Sequence, residues 1–346
     1  MSQELPRIGI RLSGAVVPRA CVELAQAAEA SGFASVWLAE NPFQRGVFTT
    51  AGACAAATKR VRIGIGVVNP FTRHPVQIAM EFAALDELAG GRAIVGLGSG
   101  IATPIRRMGI DNSRPVTAVR EAVGILRFLL PGNAITFRGS IFRLEEARLS
   151  LPRPDVPIDF GPRSGASIYL AGVGERMLGA CGEIADGLIV SNLTPLRSTK
   201  RIIDIVTEAA KKAGRERPAI VQYVPCVARG DGEEARQTVK SAIGEMLTSF
   251  WPVDNDWPPS REATVAESGI SRRDFTAALA RLRQGEPASS VLDDRFVAVF
   301  AIAGTAEDCL TQAARYRAAG VNELALTFAG PRPLMDIPYL GRALTA

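Results

Sequence analysis

The sequence predicts an α/β protein, a closed (β/α)8 TIM barrel with insertions after strands 4 and 7. Three observations carry that expectation. Strand starts fall near residues 7, 34 and 61, a spacing of 27 residues twice over, which is the period of a β/α unit in a parallel sheet. Short β-branched runs then alternate with Ala/Leu/Glu-rich stretches along the chain, giving eight strands, the number that closes a barrel. Finally, the strand ends are rich in glycine and polar residues while strand interiors are Ile, Val and Leu, as expected when a pocket lies on one face.

Arg7 to Leu12 reads as the first strand, and Arg19 to Ser31 as a helix with Val22, Leu24, Ala25 and Ala28 on its apolar stripe. Gly32 stops that helix. Ser35 to Glu40, Val61 to Val68 and Ala93 to Leu97 are strands; Val47 to Thr58, His74 to Ala89 and Pro115 to Leu130 are helices. Proline opens the last of these, where its missing N–H costs nothing. The next pairs are Ile168 to Ala171 with Glu175 to Gly182, and Leu188 to Ser191 with Pro195 to Ala213. Ala219 to Ala228 follows, with a helix through Met246, and Thr305 to Ala319 precedes the eighth strand, Glu323 to Phe328. The apolar run Phe296 to Ile302 is read as a connector stub.

Residues 131–165 and 249–295 hold most of the irregular Pro-, Gly- and charge-rich sequence, the composition of lids and pocket walls. No Gly/Ser linker divides the chain, so residues 1–346 are read as one domain. At 47% hydrophobic and 22% charged the composition is globular. No apolar stretch is long enough for a membrane span, and the N-terminus has no signal-peptide pattern. The five cysteines are scattered with no CxxC spacing, which argues against a disulfide framework or zinc–thiolate site and for a reducing cytoplasm. A single histidine, His74, excludes metal sites built on several histidines; no metal is expected. The net charge of +5 comes without Lys/Arg runs, so no nucleic-acid partner is indicated. A small-molecule substrate remains.

Two glycine clusters invite a dinucleotide reading. Gly96-Leu-Gly98-Ser-Gly100 follows a strand, but the next clear helix starts near Pro115, and a pyrophosphate fingerprint needs its helix at once. Gly172-Val-Gly174-Glu-Arg-Met177 runs straight into a helix, but after about four β/α units rather than at the opening of the fold. A phosphate on its free N–H groups suits a late loop of a barrel; glycines required only for the turn are the plainer reading. In the third strand glycines alternate with β-branched residues up to Gly66-Val67-Val68-Asn69-Pro70, leaving one face bare. Such a face admits a flat ring, or lets the strand pack tightly on a neighbour, and composition alone favours packing.

The run Gly66-Val-Val-Asn-Pro-Phe-Thr-Arg-His-Pro75 resembles the strand-three signature of the luciferase-like superfamily, and more narrowly its coenzyme F420-dependent branch. Leu85-Asp-Glu-Leu-Ala-Gly-Gly-Arg92, Gly96-Leu-Gly-Ser-Gly100, Pro115-Val-x-x-Val-Arg-Glu121, Ala185-Asp-Gly187 and Ala303-Gly-Thr-Ala-Glu-Asp308 agree in order. The resemblance implies a deazaflavin, or alternatively FMN, at the strand C-termini. It implies a ring against Gly66, Val67, Val68 and Asn69, where relatives carry a bulge with a non-prolyl cis bond, expected here at Gly66–Val67. It also implies phosphate contacts at Gly98, Ser99, Gly100, Ile101 and Ala102 and at Gly172, Val173, Gly174, Glu175, Arg176 and Met177. A homodimer through the early helices is implied as well, in keeping with the charge-poor helix Val47 to Thr58.

The polar positions depart from the family. Many F420 relatives end strand two in Asp-His, whereas Ala39-Glu40-Asn41 stands here, and Arg11 occupies the place of a strand-one glutamate. Glu40 is the candidate general acid, which would require a carboxyl pKa raised by burial; its plainer reading is a surface carboxylate or a partner of Arg11 or Arg45. Asn41 offers a hydrogen bond to a ring or substrate carbonyl, or caps the loop. Trp37 and Arg11 complete the catalytic candidates. Arg73 is either near the cofactor or a solvated loop charge, and His74 reads as a structural hydrogen-bonding residue. Asp86 and Glu87 read as ion-paired structural groups beside Arg92. Trp251 and Trp257 either wall a pocket or pack the second excursion on the barrel. Three functions follow: F420-dependent hydride transfer, FMN-dependent monooxygenation, and cofactor binding without turnover.

Overall fold

A computed structural model describes residues 4–149, 165–253 and 257–345. The first excursion therefore lies partly outside the described residues, at 150–164, and the second at 254–256. The chain runs β1 (Arg7–Ser13), α1 (Pro18–Ala30), β2 (Ser35–Ala39), α2 (Val47–Ala57), β3 (Arg62–Val68), α3 (Pro75–Leu88), β4 (Ala93–Gly98), α4 (Ala102–Arg107) and α5 (Pro115–Leu129). A hairpin follows, β5 (Ile135–Arg138) and β6 (Arg143–Ala147), then β7 (Ser167–Ala171), α6 (Glu175–Ile184), β8 (Gly187–Val190), α7 (Leu196–Lys212) and β9 (Ala219–Ala228). The last part is α8 (Gly232–Phe250), α9 (Pro259–Ser268), α10 (Arg272–Arg283), α11 (Ala288–Val291), α12 (Asp294–Phe300), β10 (Ile302–Gly304), α13 (Ala306–Ala318), β11 (Glu323–Phe328) and α14 (Pro333–Thr345).

Eight parallel strands close the barrel in the order β1, β2, β3, β4, β7, β8, β9, β11, with β11 pairing back onto β1 from Arg7–Glu323 to Ile10–Leu326. These are the eight strands expected from the sequence. Local chemistry sets their helices: Pro18, Pro75 and Pro115 each open a first turn, and Thr305 with Asp308 forms a capping box at α13. His74 is the N-cap of α3, its Nδ1 accepting from Val76 N at 3.2 Å, and its ring meets the edge of Phe142. One core fills the space between strands and surrounding helices, from Ile8 and Ala25 round to Tyr316 and Leu340. A smaller set, Trp37, Ile94, Tyr169, Ile189, Val221, Tyr223 and Ala325, fills the barrel itself.

The structure corrects several expectations. A short helix, α4, begins at Ala102, directly after the first glycine cluster. Its six residues include Pro104 and two arginines and lack an apolar stripe long enough to register as periodicity. The helix after β9 does not belong to the barrel wall. α8 buries Ala235, Val239, Ile243 and Leu247 against Phe275 and Phe296 in a separate core, while α13 contributes Cys309, Ala313 and Tyr316 to the wall. The insertion after strand seven thus starts at α8, and most of residues 249–295 is helical rather than irregular. Phe296 to Ile302 is mostly helix α12, followed by the added strand β10, which pairs with Cys226–Ala228 of β9. Trp251 and Trp257 lie in the insertion core around Phe275, with ring centroids 5.0 and 5.9 Å from it, so they pack rather than line a pocket.

Candidate active site at the C-terminal mouth of the barrel

Alternation along parallel strands directs every second side chain into the barrel. Glu323 of β11 is fully buried there, accepting from Ser35 Oγ at 2.5 Å and Trp37 Nε1 at 2.7 Å, and pairing with Arg62 and Arg7. Trp37 is therefore a tied-down interior residue, stacked near Tyr169 and Tyr223 and wholly shielded from solvent. It forms the floor beneath the mouth and does not reach it as a catalytic group.

Strand β3 departs from regular geometry where the sequence placed the departure: the Gly66–Val67 bond is cis and the register with β4 shifts between Ile65 and Val68. The bare face of this strand is occupied by protein. A Cβ at Gly64 would lie 2.4 Å from the Trp37 ring, and one at Gly66 only 1.8 Å from Tyr223 Oη. The tight-packing reading of those glycines is the one the structure bears out. Val67, half-buried, faces the mouth instead, and glycines on β4 make room for it: a Cβ at Gly98 would come 2.9 Å from Val67 Cγ2. Val68 is buried in the wall. Asn69 is buried too, its Oδ1 accepting from Phe71 N at 3.1 Å and Thr72 N at 2.9 Å, so it holds the loop that follows.

Beside Val67, β4 and β7 run in register up to Gly98–Ala171, which brings both glycine clusters onto one ledge. Ser99 is half-buried, Gly100 and Ile101 are exposed, and Ala102 starts α4. On the adjoining loop Val173, Gly174, Glu175 and Arg176 are exposed, and nothing lies within 4 Å of where a Gly174 Cβ would be. The N-terminus of α6 has no side-chain cap. Its free N–H groups are directed past a smooth rim, the arrangement that suits an anion. Gly172 makes room for Met177, which is buried in the wall and reaches the ledge only by supporting it.

The neighbouring rim, after β2 and β3, carries charge. Glu40 Oε1 accepts from Arg73 Nε at 3.0 Å and Nη2 at 2.8 Å, while Arg73 Nη1 bonds Glu81 at 2.8 Å. Burial draws the Arg73 guanidinium down, but its bonds to Glu40 and Glu81 outweigh that and raise it above its usual range. Glu40 is therefore the partner of Arg73, not of Arg11 or Arg45. Asn41 Nδ2 donates to Gln44 Oε1 at 3.1 Å. Glu40, Asn41, Arg45, Thr72, Arg73 and Met108 line a depression of about 640 Å³.

Arg11 points inward from β1, its guanidinium 5.1 Å from the centre of the Tyr223 ring. Its Nε is buried and has no acceptor among the described residues. Burial pulls its pKa below the usual arginine range, and nearby Tyr223 acts in the other direction. Sequence reading missed Tyr223 and Thr327. Tyr223 Oη donates to Gly66 O at 3.2 Å, and Thr327 Oγ1 is buried without a partner among the described residues. Their only sequence signal is an inward-facing strand position, mid-strand for Tyr223 and next to the strand end for Thr327, which needs the strand register to recognise.

Residues 5–323 match the family model described as luciferase-like monooxygenase. The chain is 26% identical over 326 residues to 5,10-methylenetetrahydromethanopterin reductase of Methanolobus tindarius, covering 92% of this chain and 94% of that one. It is 31% identical over 212 residues to F420-dependent glucose-6-phosphate dehydrogenase of Nakamurella multipartita, covering 57% and 60% of the two chains. Among solved structures, the coenzyme F420 dependent tetrahydromethanopterin reductase from Methanopyrus kandleri superposes with a TM-score of 0.84 at 22% identity, covering 98% of each chain.

Proposed function

We infer what this chain does from one premise: it belongs to the luciferase-like monooxygenase family. Within that family it is an oxidoreductase that transfers a hydride between coenzyme F420 and a small organic substrate. The observation that carries the reading is the ledge formed by Val67, Gly98–Ala102 and Gly172–Arg176, a smooth rim ending in an uncapped helix start. Two relatives similar along much of the chain, one named a reductase and one an F420-dependent dehydrogenase, support the cofactor and the reaction class.

A bound deazaflavin supplies the hydride chemistry itself. The chain's part is to bind and orient. The α6 N–H groups hold an anionic tail, and Val67 braces the ring side of the ledge. Glu40 is the proton-exchanging group; Oε1 is engaged by Arg73, so exchange falls to Oε2. The working form is a homodimer: the outer faces of α2 and α3 expose Thr49, Ala53, Ala56, Met80 and Leu88, small or apolar groups suited to close helix contact. Five buried thiols, none in a disulfide, fit a reducing cytoplasm.

Anaerobic titration with reduced F420 and with reduced FMN, followed by an oxygen-uptake assay, tests the reading. Reduced F420 should bind and support little oxygen consumption. Binding of FMN alone, with rapid oxygen uptake, would replace it with a monooxygenase.

A further inference from the structure

Among the described residues, the arginines on the barrel strands and at the β3 rim have carboxylate partners, with one exception. Arg62 and Arg7 belong to Glu323, and Arg73 belongs to Glu40 and Glu81. Arg11 has no carboxylate partner among the described residues, although its Nε is shielded from solvent. Arg11 as a whole is half-buried, so the shielded, unbonded part of its guanidinium is the Nε–H, and a buried donor left without an acceptor weakens the fold unless something else gains from it.

What lies beside it narrows the reason. Ile10 pairs with Leu326, so Arg11 and Thr327 are each the next residue on neighbouring strands. Both face inward: Arg11 lies over Tyr223, and Thr327 follows the interior residues Glu323 and Ala325 by alternation. Thr327 Oγ1 is likewise buried and unpartnered among the described residues. A cation and a hydroxyl thus sit side by side, both with unused donors, across the barrel from the glycine ledge. Arginine's planar fork matches a carboxylate, and one positive charge balances one negative charge.

We propose that Arg11 and Thr327 form the point that receives a carboxylate of the substrate, so that the substrate class is a small organic acid. The substrate's identity as a hydride partner rests on the F420 reading; the anion site itself does not.

Ligand-observed NMR titration of the protein with acetate, benzoate and the corresponding amides tests it. Acids should bind at least about tenfold more tightly than amides, as expected for a charge-assisted bond. Arg11→Met should remove that preference, Arg11→Lys should retain part of it, and Thr327→Val should weaken acid binding severalfold. Thermal unfolding checks that each variant is folded, and Arg11→Lys keeps the test decisive if Arg11→Met is not. Equal binding of acids and amides, no effect at Arg11, or a preference for phenyl phosphate over benzoate would overturn the proposal. So would a loss of reduced-F420 affinity in Arg11→Met with acid binding intact, since Arg11 would then serve the cofactor. Failure of F420 to bind the wild-type protein, with the Arg11-dependent acid preference present, would support the anion site and defeat only the cofactor reading.

Discussion

Tyr223 and Gly66 are joined across the width of the barrel: the phenol on β9 donates to the carbonyl oxygen on β3 at 3.2 Å. Burial drives the Tyr223 pKa well up, so the phenol keeps its proton at any ordinary pH. Because the hydroxyl occupies the space a Gly66 side chain would need, the two positions are coupled sterically as well as by the bond.

Tyr223→Phe should cost about 1–3 kcal/mol in denaturant unfolding, since it leaves a buried carbonyl without its donor. Gly66→Ala should cost more, because its Cβ would fall 1.8 Å from the hydroxyl oxygen. The double variant should be less destabilised than the two single effects summed, because removing the hydroxyl relieves the collision. Additive losses would show that the contact does not govern either site.

Glu40→Gln should leave F420 affinity unchanged and lower turnover by about 100-fold or more, a general-acid contribution. An unchanged kcat removes Glu40 from the mechanism and leaves it as the anchor of Arg73 alone.

Glu121 of α5 holds the β5–β6 hairpin by accepting from the backbone N–H groups of Ser140, Ile141 and Phe142 at 2.7, 3.0 and 2.9 Å. Burial pushes its pKa up, but those bonds outweigh it and leave the carboxyl below its usual range. The folded value is depressed, so the anchoring is present above the unfolded carboxylate pKa of about 4.3 and is lost as pH falls through the lower folded value. Amide exchange at Ser140–Phe142 should accelerate in that acid window in wild type. Glu121→Gln should show fast exchange already at neutral pH.

Sedimentation at micromolar concentration should give a dimer, and Ala53→Glu with Met80→Glu should give a folded monomer. A monomeric wild type would remove the proposed two-fold contact through α2 and α3.

The barrel was legible because its code is local: β-branched runs, a repeat of β/α length, and glycine or proline at most turns. The Gly66–Val67 position was legible from a resemblance in ten consecutive residues. Composition favours tight packing of the glycine face, as found; that Trp37 and Tyr223 are the side chains that fill it needs the strand register. Glu40 is visible in the sequence as a strand-end carboxylate, whereas its partner Arg73 stands on a different loop and is not. The insertion was misjudged at its start because α8 is as long and amphipathic as a wall helix. Which of two cores it joins is a tertiary fact.

Arg229, the first residue past β9, donates its backbone N–H to Gly304 O at 3.0 Å, so the insertion leaves and rejoins the barrel at one rung. Its guanidinium ties the same place to Asp336 of α14 and Glu234 of α8. An excursion whose two ends are already adjacent can change length or sequence with little added closure entropy for the parent fold. With its own core as well, residues 230–303 form a cassette. Descent with modification can rebuild that cassette while the eight strands, and whatever they hold, stay as they are.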